Sequence, residues 1–260
     1  MDTFASLPVY MGGPLFVGVF VGVAVAGSLL AHKFFPKGVL EDHNEIAGFM
    51  FAVVGVVYAV LLAFLAIAVW ERFDAAETRV HDEANQLVVA YRRVDAFPDR
   101  RAQLRKKIAR YVDLLISDEW PAMNTGHSSE KANALVENIA YEARHLNATT
   151  RTQQVLLTSI TDGLQATMMD RNDRLLLSNR GLNTFLWTIL FLGAAAVIVF
   201  SYLFAFKSKG AQAAMIGLLG FSLALVLYLI AVVDYPFRGD VRIGPAPFVE
   251  ASQTLHGIGY

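Results

Sequence analysis

Few side chains in this chain are spaced to do bond-making chemistry. The six histidines are His32, His43, His81, His127, His145 and His256. None sits in an H-E-x-x-H pattern or four residues from another His. His43-Asn44-Glu45 and His81-Asp82-Glu83 are local groups of possible ligands. Adjacent positions on a helix point about 100° apart, so neither group can chelate one ion unaided. Both read as solvated polar residues. There is no cysteine, which removes thiolate metal sites, disulfides and Cys nucleophiles. Walker, G-x-G-x-x-G and G-x-S-x-G patterns are also absent. The expectation is a protein that is not an enzyme and holds no cofactor and no metal.

Two other patterns carry physical meaning. Ala52, Val56, Val60, Phe64 and Ala68 recur every four residues along one helical ridge. Such a ridge either packs against lipid and other helices or forms a dry constriction that gates by dewetting. A constriction needs a ring of apolar side chains, hence several copies of the chain. The second pattern is basic: Arg100, Arg101, Arg105, Lys106, Lys107 and Arg110 fall within eleven residues. They form either a solvated helix face or a surface attracting anionic headgroups or permeating anions. The formal net charge of −1 and the absence of a recognition motif exclude nucleic acid as a partner.

The elements that must carry these residues are membrane helices. Hydrophobic residues make up 55% of the 260-residue chain and charged residues 17%, against about 25% charged in soluble chains. Mean hydropathy is +0.44. Spanning a bilayer takes about 20 apolar residues, and four stretches qualify: Leu15–Ala31 with a start nearer Val9 as an alternative, Ile46–Trp70, Leu182–Phe206 and Ala211–Val233. The second should be roughly 37 Å long and should tilt or protrude. No Lys or Arg precedes the first, so it reads as a span rather than a cleaved signal peptide. The spans contain no Asp, Glu, Lys, Arg or His, which argues against proton-coupled transport and voltage gating. Asn183, Thr188, Ser201, Gln212 and Ser222 are expected to bond to neighbouring helices, and Gly18, Gly22 and Ala26 to offer a close helix contact. Trp70 and Trp187 read as interfacial anchors. Seven basic residues near the span ends on the central-segment side, against Lys33, Lys37, Lys207 and Lys209 in the short loops, favour a cytoplasmic central segment and cytoplasmic termini. Counting the short loops alone reverses that orientation.

The division expected is spans 1 and 2 in residues 1–70, an extramembrane helical domain in 71–180, spans 3 and 4 in 181–233 and a tail in 234–260. Phe73, Ala76, Val80, Ala84, Leu87, Val88, Tyr91 and Val94 continue a helical stripe beyond the second span without Gly or Pro. One helix should therefore run from the membrane to Phe97, where Pro98 stops it. A second should start after Asp99 as N-cap and end at Trp120-Pro121, with Leu104, Ile108, Tyr111, Val112, Leu115 and Ile116 on its apolar face. Two more fit Glu130–Leu146 and Thr150–Ser178. The fold class is all-α, with four transmembrane helices and a long helical cytoplasmic insertion between the second and third.

Phe64-Leu65-Ala66-Ile67-Ala68-Val69-Trp70-Glu71-Arg72-Phe73 resembles the second transmembrane helix of the bestrophins, with its Arg followed by an aromatic. Asp234-Tyr235-Pro236-Phe237-Arg238-Gly239-Asp240 looks like the bestrophin Pro-Phe-Gly turn that precedes an acidic cluster. The whole chain is similar to a bacterial bestrophin-like membrane family of unknown function, through Gly55–Trp70, Glu83-Ala84, Tyr91-Arg92, Glu119-Trp120-Pro121 and Asp234–Gly239. Bestrophins are pentameric, mostly anion-selective channels with a neck lined by the second helix. An ungapped alignment on Phe64–Arg72 carries the three neck positions onto Val56, Val60 and Phe64. The resemblance thus implies a homo-oligomer in the bacterial inner membrane, with lipid and inorganic ions as partners. Asp240 alone follows the turn closely, so calcium gating is not carried over. Two functions stay open: an ion channel, and a non-conducting sensor or assembly platform anchored in the membrane.

Overall fold

The computed structural model describes residues 9–34, 44–204 and 208–257. His32, His43 and the loop cations Lys33 and Lys37 fall in or beside the first gap, so their side chains lie outside the described residues, as does Lys207. No strand occurs among the described residues. The helices are α1 (Val9–Phe34), α2 (Asn44–Arg93), α3 (Pro98–Leu114), α4 (Trp120–Asn124), α5 (Glu130–Arg144), α6 (Arg151–Asn179), α7 (Thr184–Ser201), α8 (Lys209–Val233) and α9 (Ala246–Gly257). Four of them, α1, α2, α7 and α8, are long and apolar enough to cross a membrane.

Two compact units form. One comprises the chain through Glu71, with Leu182–Asp234 and Gly239–Val241. In it α1 packs along α8, with Ala24 beside Gly220 and the Phe16 and Tyr228 rings 5.8 Å apart. Tyrosines lock this unit. The Tyr58 hydroxyl of α2 donates to Leu190 O of α7 at 2.6 Å, and Tyr202 donates to Ala24 O at 2.7 Å. Each ring lies on a glycine: Tyr58 on Gly193, Tyr202 on Gly27 and, on α8, Tyr228 on Gly13. Missing side chains let helices approach closely where the hydrophobic effect cannot drive association. Each phenol must also find a partner in an apolar setting.

The small-residue stripe at Gly18, Gly22 and Ala26 is not the contact that packs α1 within this chain. These residues are exposed, and open space surrounds both glycines. The face of α1 that packs carries Gly13, Phe16, Val17, Ala24 and Ser28 instead. The span hydroxyls also differ from expectation. Thr188, Ser201 and Ser222 donate back to carbonyls one turn earlier in their own helices. Asn183 caps α7 by accepting from Phe185 N. A hydroxyl three or four residues past a carbonyl reaches it without needing a neighbour.

The other unit comprises Arg72–Gly181, Tyr235–Arg238 and Arg242 onward. The stripe residues Ala76, Val80, Ala84, Leu87, Tyr91 and Val94 are buried together with Leu104, Ile108, Tyr111, Val112 and Leu115. The helix ends four residues before the expected Phe97, because Val94–Ala96 tighten into a 3₁₀ turn and Pro98 opens α3. Proline suits that first position, since its missing N–H would be unpaired there anyway. Asp99 is consequently inside the first turn, and Phe97 holds the cap position. Trp120-Pro121 does not end α3 either. The backbone widens to a π turn at Leu115–Glu119, with Trp120 N–H reaching back to Leu115 O, and Pro121 falls in the first turn of α4. That position suits its missing N–H. Ser129 caps α5, and a Thr150–Gln153 capping box starts α6. α9 was not expected. It buries Phe248, Ala251 and Leu255, spaced three and four apart, and Tyr91 donates to Leu255 O at 3.1 Å.

Gly193→Ala should cost about 1–3 kcal/mol, since its methyl would overlap the Tyr58 ring. Gly18→Ala, facing open space, should be neutral or stabilising. Thermal unfolding of the detergent-solubilised protein separates the two.

Candidate functional site

The neck candidates lie on the face of α2 that its own chain leaves bare. Val56 is 63% exposed, Val60 48% and Phe64 68%. On the opposite side Tyr58, Leu62 and Val69 are buried. The uncharged span of α2 thus offers its bulky apolar ridge to something other than this chain's described residues. Trp70 is exposed at the end of that span. An apolar groove of Ala66, Ile67, Val69, Leu229 and Ile230 adjoins it.

Trp187 stacks on Phe191 with centroids 5.8 Å apart, and its Nε1 points to Asp234 Oδ2 at 3.4 Å. Asp234 is buried and also accepts from Leu182 N at 2.6 Å, which fastens the start of α7. Further along the turn, Phe237 is buried edge-on against Trp120, and Ile243 N donates to Pro236 O at 2.8 Å. Gly239 has φ +77, a left-handed conformation that favours glycine. Asp240 Oδ2 accepts from Val9 N at 2.8 Å, at the start of α1. Both acids of this turn therefore bind backbone amides.

The basic run on α3 divides in two. Arg105 lies 4.5 Å above the Tyr91 ring and pairs with Asp95 at 2.5 Å. Lys107 pairs with Glu142 at 2.7 Å. Arg100, Arg101, Lys106 and Arg110 are exposed, with Arg100 also donating to Gln103.

The strongest electrostatic feature was not foreseen. Glu83, Glu119, Arg171 and Arg174 are buried together beneath α2, α6 and the π turn. Arg174 forks onto Glu83 at 2.8 and 3.0 Å, and its Nη2 also donates to Glu119 at 2.7 Å. Arg171 donates to Glu119 at 2.5 Å and to Asn133 at 2.8 Å. Trp120 lies over the Arg174 guanidinium at 4.9 Å. Two carboxylates and two guanidinium groups balance the buried charge. Burial pushes the Glu83 carboxyl up, and the Arg174 guanidinium offsets part of that rise. Burial pulls Arg174 down, but Glu83 and Glu119 outweigh it and hold it above its ordinary value. The Tyr111 hydroxyl, buried beside them with no partner among the described residues, is pushed well up by burial and by the Glu83 charge.

His81-Asp82-Glu83, read as solvated, is therefore split. His81 and Asp82 are exposed and only Glu83 points inward. The signal was present: Glu83 lies three residues after Val80 and four before Leu87, on the buried stripe. Among the described residues no group of three His, Asp or Glu side chains is placed to hold a metal ion.

The family profile of the Bestrophin-like domain matches residues 18–248. The fold is also that of a bacterial bestrophin homologue from Klebsiella pneumoniae. A point variant of that protein superposes with TM-score 0.69 at 13% identity, over 94% of this chain and 99% of that one. A second structure of it, phased on zinc, gives 0.68 at 13% identity, over 92% and 97%. No curated protein sequence matched.

Arg174→Met should destabilise the protein by about 3–5 kcal/mol, because it strands the buried Glu83 carboxylate and leaves Glu119 with Arg171 alone. Arg174→Lys should recover only part of that loss, having no planar fork. Tyr111→Phe should cost nothing or stabilise by about 1 kcal/mol, since it deletes a buried hydroxyl that lacks a partner. Chemical denaturation followed by circular dichroism reads all three.

Proposed function

We propose that the chain, which belongs to the Bestrophin-like family, is one subunit of a homo-oligomeric ion channel in which α2 lines a hydrophobic neck at Val56, Val60 and Phe64. The observation that carries this reading is the bare apolar ridge of α2. Three bulky side chains stand exposed on a helix with no charge between Ile46 and Trp70. An equal ridge from each subunit around one axis would make a ring that passes ions when wetted and closes when dry. By the family resemblance the ring has five members. In this reading the subunit sits in the bacterial inner membrane with its termini and central helices cytoplasmic, Trp70 and Trp187 near the headgroups. Lipid, inorganic ions and further copies of the chain are its partners.

Because the chain has no cysteine, a single introduced thiol is an unambiguous probe. Val60→Cys protein in liposomes should pass ions, and a water-soluble thiol reagent should reduce that flux. Phe64→Ala should raise the resting leak. A protein that stays monomeric in the membrane and carries no flux sinks the channel and leaves the alternative, a membrane-anchored helical sensor or assembly platform.

A further inference from the structure

Within the unit built on Arg72–Gly181, α3, α9 and Tyr91 of α2 enclose a groove of about 530 Å³. Small-molecule sites run from about 300 to 1,000 Å³ and are chiefly apolar. This groove differs, because Arg105, Lys106 and Arg110 from the basic run of α3 line it. Lys106 and Arg110 are exposed and, four residues apart, share one helix face. No hydrogen bond or ion pair among the described residues engages either. Arg105 is held in place. Its guanidinium lies 4.5 Å over the Tyr91 ring, and the Tyr91 hydroxyl is itself fixed on Leu255 O of α9 at 3.1 Å. Only its Nη2 is taken up, by Asp95, and its buried Nε has no acceptor among the described residues. Ala109, one turn from both Arg105 and Asp113, contributes a single methyl to the lining and leaves the space open. Asp113 is engaged by α9: Ser252 Oγ donates to it at 2.9 Å, and His256 Nε2 lies 3.6 Å from it. The three cations outnumber Asp95 and Asp113 by one.

We infer that this groove binds the phosphoryl group of a phosphate monoester, carried by a free small molecule or by a phospholipid headgroup. A planar guanidinium offers parallel N–H donors to two phosphoryl oxygens, and a nearby ammonium adds charge without demanding direction. Arg105 is the preorganised member, since stacking and the Asp95 pair fix its plane before any ligand arrives. Lys106 and Arg110 supply the charge that has no counter-ion in the chain. Asp113 adds an acceptor at the same site. It suits a hydroxyl on the esterified group and disfavours a bare polyanion. The site is complete within one subunit and does not depend on the channel reading.

Isothermal titration calorimetry of the purified full-length protein in detergent, with glycerol phosphate as the probe, tests this. Binding should saturate at one per chain, with Kd about 1 mM or tighter. Lys106→Gln with Arg110→Gln should weaken it by about tenfold. Arg100→Gln with Arg101→Gln removes the same charge from the same helix outside the groove, and should change it by less than about twofold. Ala109→Met keeps every charge but fills the groove, and should abolish binding. Repeating the titration in phosphatidylcholine nanodiscs with and without phosphatidic acid identifies the source. Loss of glycerol phosphate binding only where phosphatidic acid is present assigns the groove to a lipid headgroup, and unchanged binding assigns it to a free molecule. An absence of saturable binding, equal weakening by the two pairs of substitutions, or binding that Ala109→Met leaves unchanged overturns the inference. None of these results bears on ion flux.

Discussion

The buried exchange between Arg174 and its two carboxylates decides how the unit built on Arg72–Gly181 is arranged. Glu83 comes from α2, Glu119 from the π turn and Arg174 from α6, so one guanidinium binds three separate stretches of chain. None of these groups can face water without stranding another in the interior. The cost of that alternative sets the rotation of α2 about its own axis. With Glu83 directed inward, the side bearing Asp74, Thr78, Asp82 and Asn85 must be directed outward. A structural ion pair thereby determines which side of this helix segment faces outward.

Along the same α2–α6 seam the polar groups continue in order. Arg79, Gln86 and Arg93 are spaced by seven on α2. They meet Asp170 and Thr167, then Ser159, on α6. Seven residues are close to two helical turns, so these side chains stack above one another. The seam is hydrogen-bonded rather than greasy, which fixes its register: sliding one helix by a turn would unpair several buried groups at once. In the membrane unit the equivalent task falls to the tyrosines seated on glycines, each combining a close approach with one bond to a carbonyl.

The sequence made the spans and the continuity of α2 legible for simple reasons. A run without charge longer than a bilayer is thick, followed by a stripe with no Gly or Pro, has few other interpretations. The family resemblance located Glu83 and Glu119 without saying what they do. Their burial was hidden because the segment's acids and bases cancel, and a neutral mixture reads as a solvated surface. Arg171 and Arg174 could have been placed inward from their spacing to Leu164 and Thr167. α9 was not legible because its inward residues Phe248, Ala251 and Leu255 span only about two turns, too short a period to stand out. The stripe on Gly18 and Gly22 does not serve the packing of α1 within the chain, since small residues four apart are common in membrane helices and do not say which neighbour they meet.

The widened turn at Leu115–Glu119 holds one residue more than a regular helix would need to climb the same distance. Leu115 and Glu119 would share a face in an ordinary helix too; what the surplus changes is the bearing of the chain after it, by roughly 100°. It works as a local phase adjuster between α3 and α4. Loss of a single residue there would leave the segment helical, and composition would scarcely register it. Yet every side chain downstream would swing to a new bearing, and Trp120 would no longer roof the guanidinium it now covers. For this stretch, residue count is as strict a requirement as residue type.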